Sequence, residues 1–120
     1  MLRSILLSVS IALGALAPVA VEAKSSCGYA SHYGHQDGFH GRIAANGSRF
    51  NAYGLTVAHR SLPFGTRLRI VNPINGRSVL ATTTDRGPFI HGRVLDLSYA
   101  TFAAIAPPSK GVTKVCYSVA

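Results

Sequence analysis

From residue 25 onward the chain is a series of short alternating stretches separated by glycine, proline and asparagine. Residues 66–72, Thr66-Arg67-Leu68-Arg69-Ile70-Val71-Asn72, set arginines between apolar side chains, the two-residue period of a strand with one buried face. Pro73-Ile74-Asn75-Gly76 turns the chain. Residues 78–84, Ser78-Val79-Leu80-Ala81-Thr82-Thr83-Thr84, resume the alternation, so the two runs predict a hairpin. Residues 28–34 predict a first strand, 55–59 a short second one, 94–97 another and 111–119 a closing one. Residues 35–41 and Ala45-Asn46-Gly47-Ser48 are too rich in glycine and polar side chains for regular structure and predict loops. Only one segment has helical spacing. Ser98 is placed to cap a helix through Tyr99, Phe102 and Ile105, which Pro107-Pro108 ends. Six short strands and one brief helix predict a mainly β, single-domain fold, a closed or nearly closed barrel, because closure removes the edges a small sheet exposes. The order of the strands does not follow from the pattern.

The first 23 residues have a different character. Met1-Leu2-Arg3, an apolar run over residues 5–21 and the exit Val21-Glu22-Ala23 form the pattern of a secretory signal peptide, with cleavage expected after Ala23. Gly14 and Pro18 interrupt a run barely long enough to span a bilayer, which argues against a retained anchor. The expected mature domain is residues 24–120, long enough for one domain and not for two, and at this size only roughly 60–65% of the unfolded surface is buried. Such a core benefits from a cross-link. Cys27 and Cys116, the only two cysteines, lie near the ends of the mature chain in an oxidising compartment and predict a disulfide. Lys24-Ser25-Ser26 does not offer the small apolar tripeptide that lipidation of Cys27 would need. The formal net charge is +8, and loss of Arg3 and Glu22 with the signal leaves it at +8. A basic exported domain has nucleic acid, an anionic membrane surface or an acidic wall polymer as candidate partners, and export selects the last.

Candidate chemistry is limited by scarcity, since the chain has four acids, Glu22, Asp37, Asp85 and Asp96. Asp85 follows an alternating run and precedes Arg86-Gly87-Pro88, so it is expected where a strand ends and a loop begins, a common position for catalytic groups. Neighbouring strand residues point to opposite faces, so Asp85 and Arg86 can project apart. The simpler role for Asp85 is to start a turn. Asp96, just before the helix, could instead cap free backbone amides, and His59 could be a buried histidine bonded to backbone. His32, His35 and His40 with Asp37 match no standard zinc spacing, and neither a metal nor another cofactor is expected.

Taken in order, Tyr33-Gly34, Phe39-His40-Gly41, Ala45-Asn46-Gly47, Leu55-Thr56-Val57-Ala58-His59, Leu62-Pro63-Phe64-Gly65-Thr66, Asn75-Gly76-Arg77-Ser78-Val79, Asp85-Arg86-Gly87-Pro88-Phe89 and Gly92-Arg93-Val94-Leu95-Asp96-Leu97-Ser98 resemble the core of the rare lipoprotein A family. The likeness covers about residues 29–106. It implies a double-psi β-barrel, the fold of expansins and barwin-like proteins, and a bacterial cell-envelope protein acting on peptidoglycan glycan strands as a lytic transglycosylase. By position, Asp85 matches the family's catalytic aspartate, His59 a histidine of the same groove, and Asp96 the aspartate essential in expansins. Tyr33, Phe39, Asn46, Ser48 and Arg86 are the expected substrate-binding residues, with Tyr53 a further aromatic that could stack on sugar or pack the barrel. The family usually has glutamate where this chain has Ser48.

An ordinary glycosidase needs two carboxylates, about 5–5.5 Å apart for retention or roughly 6.5–9.5 Å for inversion. A lytic transglycosylase needs one, because the sugar's own C6 hydroxyl replaces water. With Asp85 as acid and then base, Asp96 or His59 would orient it or stabilise the developing positive charge. The expected product is a 1,6-anhydro-muramic acid end, on strands without stem peptides. The expected protein is periplasmic or secreted, free of a membrane anchor after cleavage, and a monomer that does not bind nucleic acid. Ser48 leaves an alternative open, an expansin-like module that binds wall glycan without cutting it, and a weaker one, a secreted effector or inhibitor.

Overall fold

The computed structural model describes residues 25–120; the expected signal peptide, residues 1–23, lies outside them. The elements are β1 (Ser26–Tyr33), β2 (Thr56–Ala58), β3 (Arg67–Val71), β4 (Ser78–Asp85), β5 (Arg93–Ser98), helix α1 (Tyr99–Ile105), a 3-10 turn (Pro108–Lys110) and β6 (Val112–Val119). The strands close into a barrel in the order β1-β5-β2-β4-β3-β6. This is the six-stranded barrel with one short helix that the pattern and the resemblance led us to expect. Its order was not legible because β1 runs parallel to β5 and β2 parallel to β4, and parallel neighbours need long crossover connections. The β3–β4 hairpin and the other pairings are antiparallel.

Alternation explains the core. Leu68 and Ile70 of β3, Leu95 and Leu97 of β5, Val57 of β2 and Val115 of β6 point inward and are fully buried, while Arg67 and Arg69 between them are exposed. Phe102 and Ile105 of α1 pack onto this cluster. Burying each of these side chains contributes about 1.5–3 kcal/mol. Ser98 caps the helix, its Oγ accepting from the Thr101 amide at 3.1 Å. At the other end the Ile105 carbonyl accepts from the side-chain amides of Asn72 and Asn75, 3.0 Å each, which satisfies a group the helix leaves open. The turn of the β3–β4 hairpin is thereby fastened to α1. β1 and β6 close the seam, and there Cys27 and Cys116 are paired in register and joined by a disulfide.

One irregularity positions the site. Val57 pairs with Thr83, but the next residue, Ala58, pairs with Asp85, so β4 carries Thr84 as an extra residue. Strict alternation from Ala81 and Thr83, both buried, would turn Asp85 inward. The bulge reverses that parity and brings Asp85 to the outer face, a known use of bulges beside functional sites. Ala58 also pairs with Asp96 of β5, and Asp96 with Ser31 of β1. Asp85, Ala58, Asp96 and Ser31 therefore form one row across four neighbouring strands.

Candidate functional site

Above this row lies an open cleft of about 440 Å³, with Asp85, Ala58 and Asp96 in its floor and Tyr33, Arg86, Phe39, Arg42 and Ile43 in its walls. Asp85 and Asp96 are separated by one strand, which places their Cα atoms roughly 10 Å apart, two strand spacings of about 4.8 Å. Ala58 between them has only a methyl group, which leaves the floor open.

Asp85 is firmly held. Its Oδ1 accepts from the backbone amides of Ala45 and Arg86, each at 3.0 Å, and its Oδ2 accepts from the Tyr33 hydroxyl at 3.2 Å. Tyr33 is itself wedged. Its ring stacks on Phe50 at 4.5 Å between centroids and meets the edge of Phe39 at 5.9 Å. Burial, and then the charge of Asp85 beside it, push the phenol well above its usual range, so it stays a donor. The following residue has to be glycine: Gly34 has φ +104°, and a Cβ there would overlap the Phe50 ring. Asp37 organises the next turn, accepting from the amides of Gly34 at 2.7 Å and Phe39 at 3.0 Å. Burial opposes its charge, yet these amides hold its carboxyl below the usual range. The turn sets Phe39, 45% exposed, at the cleft wall.

Asp96 has a different environment. Its Oδ1 accepts from Ser31 Oγ at 3.0 Å, and Ser31 Oγ accepts from Arg93 Nη1 at 2.9 Å. Its Oδ2 has no donor among the described residues and faces Gly87, where an added Cβ would come within 3.4 Å. Burial raises the Asp96 carboxyl above the usual range, and the Asp85 charge adds to this, against the Ser31 hydrogen bond and Arg93. Asp96 does not cap α1; Ser98 does.

Of the residues singled out in the sequence, Tyr33, Phe39, Asp85, Arg86 and Asp96 share the cleft. Arg86 lays its guanidinium over the Phe64 ring at 3.9 Å and donates to the His59 carbonyl at 3.3 Å. His59, Asn46 and Ser48 are not among the residues lining it. His59 Nδ1 accepts from the amides of Ser61 and Leu62 at 3.0 and 3.1 Å, which fixes the proton on Nε2, and Nε2 donates to the Tyr117 hydroxyl at 2.9 Å. Burial, then Arg60 and Arg86, lower its pKa, consistent with a neutral ring. Ser48 Oγ donates to Asn46 Oδ1 at 2.6 Å on an exposed turn. That turn still serves the site, because Asn46 N donates to the Thr84 carbonyl at 3.1 Å and sets the Ala45 amide against Asp85. Tyr53, 63% exposed, contacts His40 and Tyr99.

The other histidines are dispersed: His32 Nε2 donates to the Pro108 carbonyl, His35 stacks on Tyr99, and His40 Nδ1 accepts from the Ala52 amide. Among the described residues no three His, Cys, Asp or Glu gather as metal ligands, and no helix is long and apolar enough to cross a membrane. The sequence assigned no site role to Ser31 or Ala58. They are small, and only the register shows what they do.

A family model described as lytic transglycolase matches residues 25–117. Among curated relatives, a probable endolytic peptidoglycan transglycosylase RlpA from Nostoc sp. is 53% identical over 88 residues, 73% of this chain and 24% of that protein. The endolytic peptidoglycan transglycosylase RlpA of Rickettsia felis is 41% identical over 99 residues, 82% of this chain and 43% of that protein. The chain thus spans less than half the length of these relatives. Among solved structures, the Streptomyces papain inhibitor superposes with a TM-score of 0.64 at 23% identity, covering 79% of this chain and 93% of that one. A Clavibacter michiganensis expansin solved with cellohexaose gives 0.63 at 23% identity, covering 80% and 50%. At such identities these two speak for the barrel alone.

Proposed function

We propose, from the premise that this chain belongs to the rare lipoprotein A-like lytic transglycolase family of double-psi β-barrels, that it is exported to the cell envelope and cleaves peptidoglycan glycan strands there. The observation that carries the reading is the row Asp85–Ala58–Asp96 in the floor of an open cleft, two carboxyl groups in contrasting environments. Such contrast is how acid and base roles are divided between like groups. Asp96, which lines the cleft, is pushed toward its neutral form and has no donor to Oδ2 among the described residues, gives a proton to the glycosidic oxygen as the bond to the anomeric carbon breaks. Asp85, held by three donors, faces the developing oxocarbenium charge and takes the proton of the C6 hydroxyl as that oxygen closes the 1,6-anhydro ring. No water is consumed. The roles assigned from sequence, in which Asp85 makes both proton transfers, are thereby split. The exposed rings and side chains of Phe39 and Ile43 suit bare sugar faces, which favours strands stripped of stem peptides. Digestion of denuded strands and intact sacculi, read by mass spectrometry for anhydro-terminated fragments, tests the reading; their absence under conditions where a known transglycosylase produces them counts against it.

Activity should decline as pH rises through the Asp96 pKa, at a value above the ordinary aspartate range. The same raised pKa has a stability consequence: the folded state holds the Asp96 proton more tightly than the unfolded chain, so this stabilisation is complete below the unfolded pKa and lost as pH rises through the folded one. Asp96→Asn should therefore melt higher than wild type at neutral pH, the difference shrinking in acid, while cleavage is lost. A melting temperature at neutral pH below wild type would remove Asp96 from this role. Tyr33→Phe keeps the stack on Phe50 and deletes one hydrogen bond to Asp85, an interaction worth about 1.5–3 kcal/mol when one partner is charged. We expect kcat to fall about tenfold or more with KM nearly unchanged and the melting temperature lower by roughly 6 °C or more; an unaltered kcat would show that the two amides suffice.

One observation favours a second reading, a glycan-binding module without catalysis. Where the family usually has glutamate, Ser48 turns its hydroxyl to Asn46 Oδ1, outside the cleft. Ser48→Glu separates the two: cleavage of denuded strands should increase if the site is catalytic, whereas wild type and variant would both be inert if it only binds.

A further inference from the structure

The described residues contain ten Lys and Arg and three Asp, and the barrel sorts them. Around the cleft and its loops each arginine is engaged. Arg42 lies over Phe39, Arg49 donates to the Gly41 carbonyl, Arg60 to the carbonyls of Pro88 and Arg93, Arg86 to that of His59, and Arg93 to Ser31. All three aspartates are on this side as well. β3 and β6 close the barrel opposite β5 and β2. There, Arg67, Arg69, Arg77, Lys110 and Lys114 are all exposed, and their side chains have no hydrogen bond, ion pair or aromatic contact among the described residues.

The register arranges them. Arg67 and Arg69 point outward from β3, about 6.7 Å apart along the strand. Arg69 pairs with Ser118 and Val71 with Cys116, so Lys114 falls beyond them beside the β3–β4 turn that holds Arg77. The result is a stripe running roughly 20 Å along the barrel, six residues at about 3.3 Å each. Thr82 and Ser118, facing Arg67 and Arg69 across the strands, border it with small hydroxyl side chains. The cations that support the fold are those with partners, and the stripe has no such role.

We propose that this face is a docking surface for a carboxylate-bearing chain, in the wall a peptide-substituted strand beside the one in the cleft. The choice of partner rests on the peptidoglycan reading above. The cations are spaced along the outer face of a closed barrel, which suits a polymer with spaced charges rather than a small anion, and guanidinium groups pair with carboxylates through parallel hydrogen bonds. Its position opposite the cleft lets both be occupied at once.

The test uses two probes that separate the chemistries, poly-L-glutamate, which has carboxylates and no sugar, and chitohexaose, which has the sugar and no carboxylate. Arg67→Gln/Arg69→Gln should weaken poly-L-glutamate binding about tenfold, since each exposed ion pair is worth a few-fold in affinity, and leave chitohexaose binding and melting temperature unchanged. Phe39→Ala should do the reverse. Arg42→Gln/Arg49→Gln removes the same charge from the cleft side and should change poly-L-glutamate affinity by less than about twofold. Equal losses in the two double variants would overturn the proposal in favour of diffuse charge. Tighter binding to polyphosphate, or to vesicles of anionic lipid, than to poly-L-glutamate would overturn the assignment of the partner. Should chitohexaose not bind wild type, the cleft reading fails, and the poly-L-glutamate comparison still decides for or against the stripe.

Discussion

Asp85→Asn should abolish anhydro-terminated products while the barrel and its affinity for chitohexaose remain close to wild type. The amide reproduces the shape of the carboxylate, and its oxygen can still accept from the Ala45 and Arg86 amides. Its nitrogen then faces the Tyr33 hydroxyl, which can rotate to accept where it had donated. What the variant lacks is a group able to take a proton, and removal of such a group costs roughly 10²- to 10⁴-fold. The loss should exceed that of Tyr33→Phe, which leaves the carboxylate in place. It should also differ from Asp96→Asn in stability, because burial raises the Asp96 carboxyl and its neutralisation should raise the melting temperature at neutral pH, whereas Asp85→Asn exchanges a carboxylate held by three donors for an amide. Measured turnover of denuded strands within a few-fold of wild type for Asp85→Asn would exclude Asp85 from both proton transfer and charge stabilisation.

Much of this architecture is local and so was legible. The arginine–aliphatic alternation of β3, the Asn75-Gly76 turn and the Ser98 cap depend on neighbours in sequence, and they appear where the pattern placed them. The aim of Asp85 is not local. Thr84 is an ordinary strand residue in a run of threonines, and it becomes a bulge only because β4 must meet β2 in parallel register. Without that slip, alternation would bury the carboxylate. The same holds for Ala58 and Ser31, whose small size acquires meaning from the strands they pair with, Ala58 as the gap between two carboxyl groups and Ser31 as the donor to one of them. Alternation does place Ser31 and Tyr33 on one face of β1, and that clue was available. His59 shows the opposite limit: its position beside the site follows from sequence, whereas the direction of its ring is set by two amides of the following turn and by Tyr117.

Replacing the disulfide, as Cys27→Ser/Cys116→Ser, should produce the largest change in stability. The two cysteines are 89 residues apart in sequence, and closing a loop of that length in the unfolded chain contributes on the order of 4–5 kcal/mol in the chain-entropy model. For a domain of about 100 residues this corresponds to a melting temperature lower by roughly 20 °C or more. Its location ties it to the site as well. β1 and β6 are the first and last strands, and their pairing is the seam that closes the barrel. β1 is also the strand that presents Ser31 to Asp96 and Tyr33 to Asp85. Opening the seam would release Asp96 from Ser31 and Asp85 from Tyr33 together, so thermal loss of cleavage should track thermal unfolding in the variant and not precede it. At temperatures where the variant is still folded, the ladder to β5 holds β1 in place and activity should approach that of wild type. A melting temperature within a few degrees of wild type would mean that the β1–β6 ladder alone secures the seam; activity lost well below the melting transition would mean that the bridge positions the donors directly.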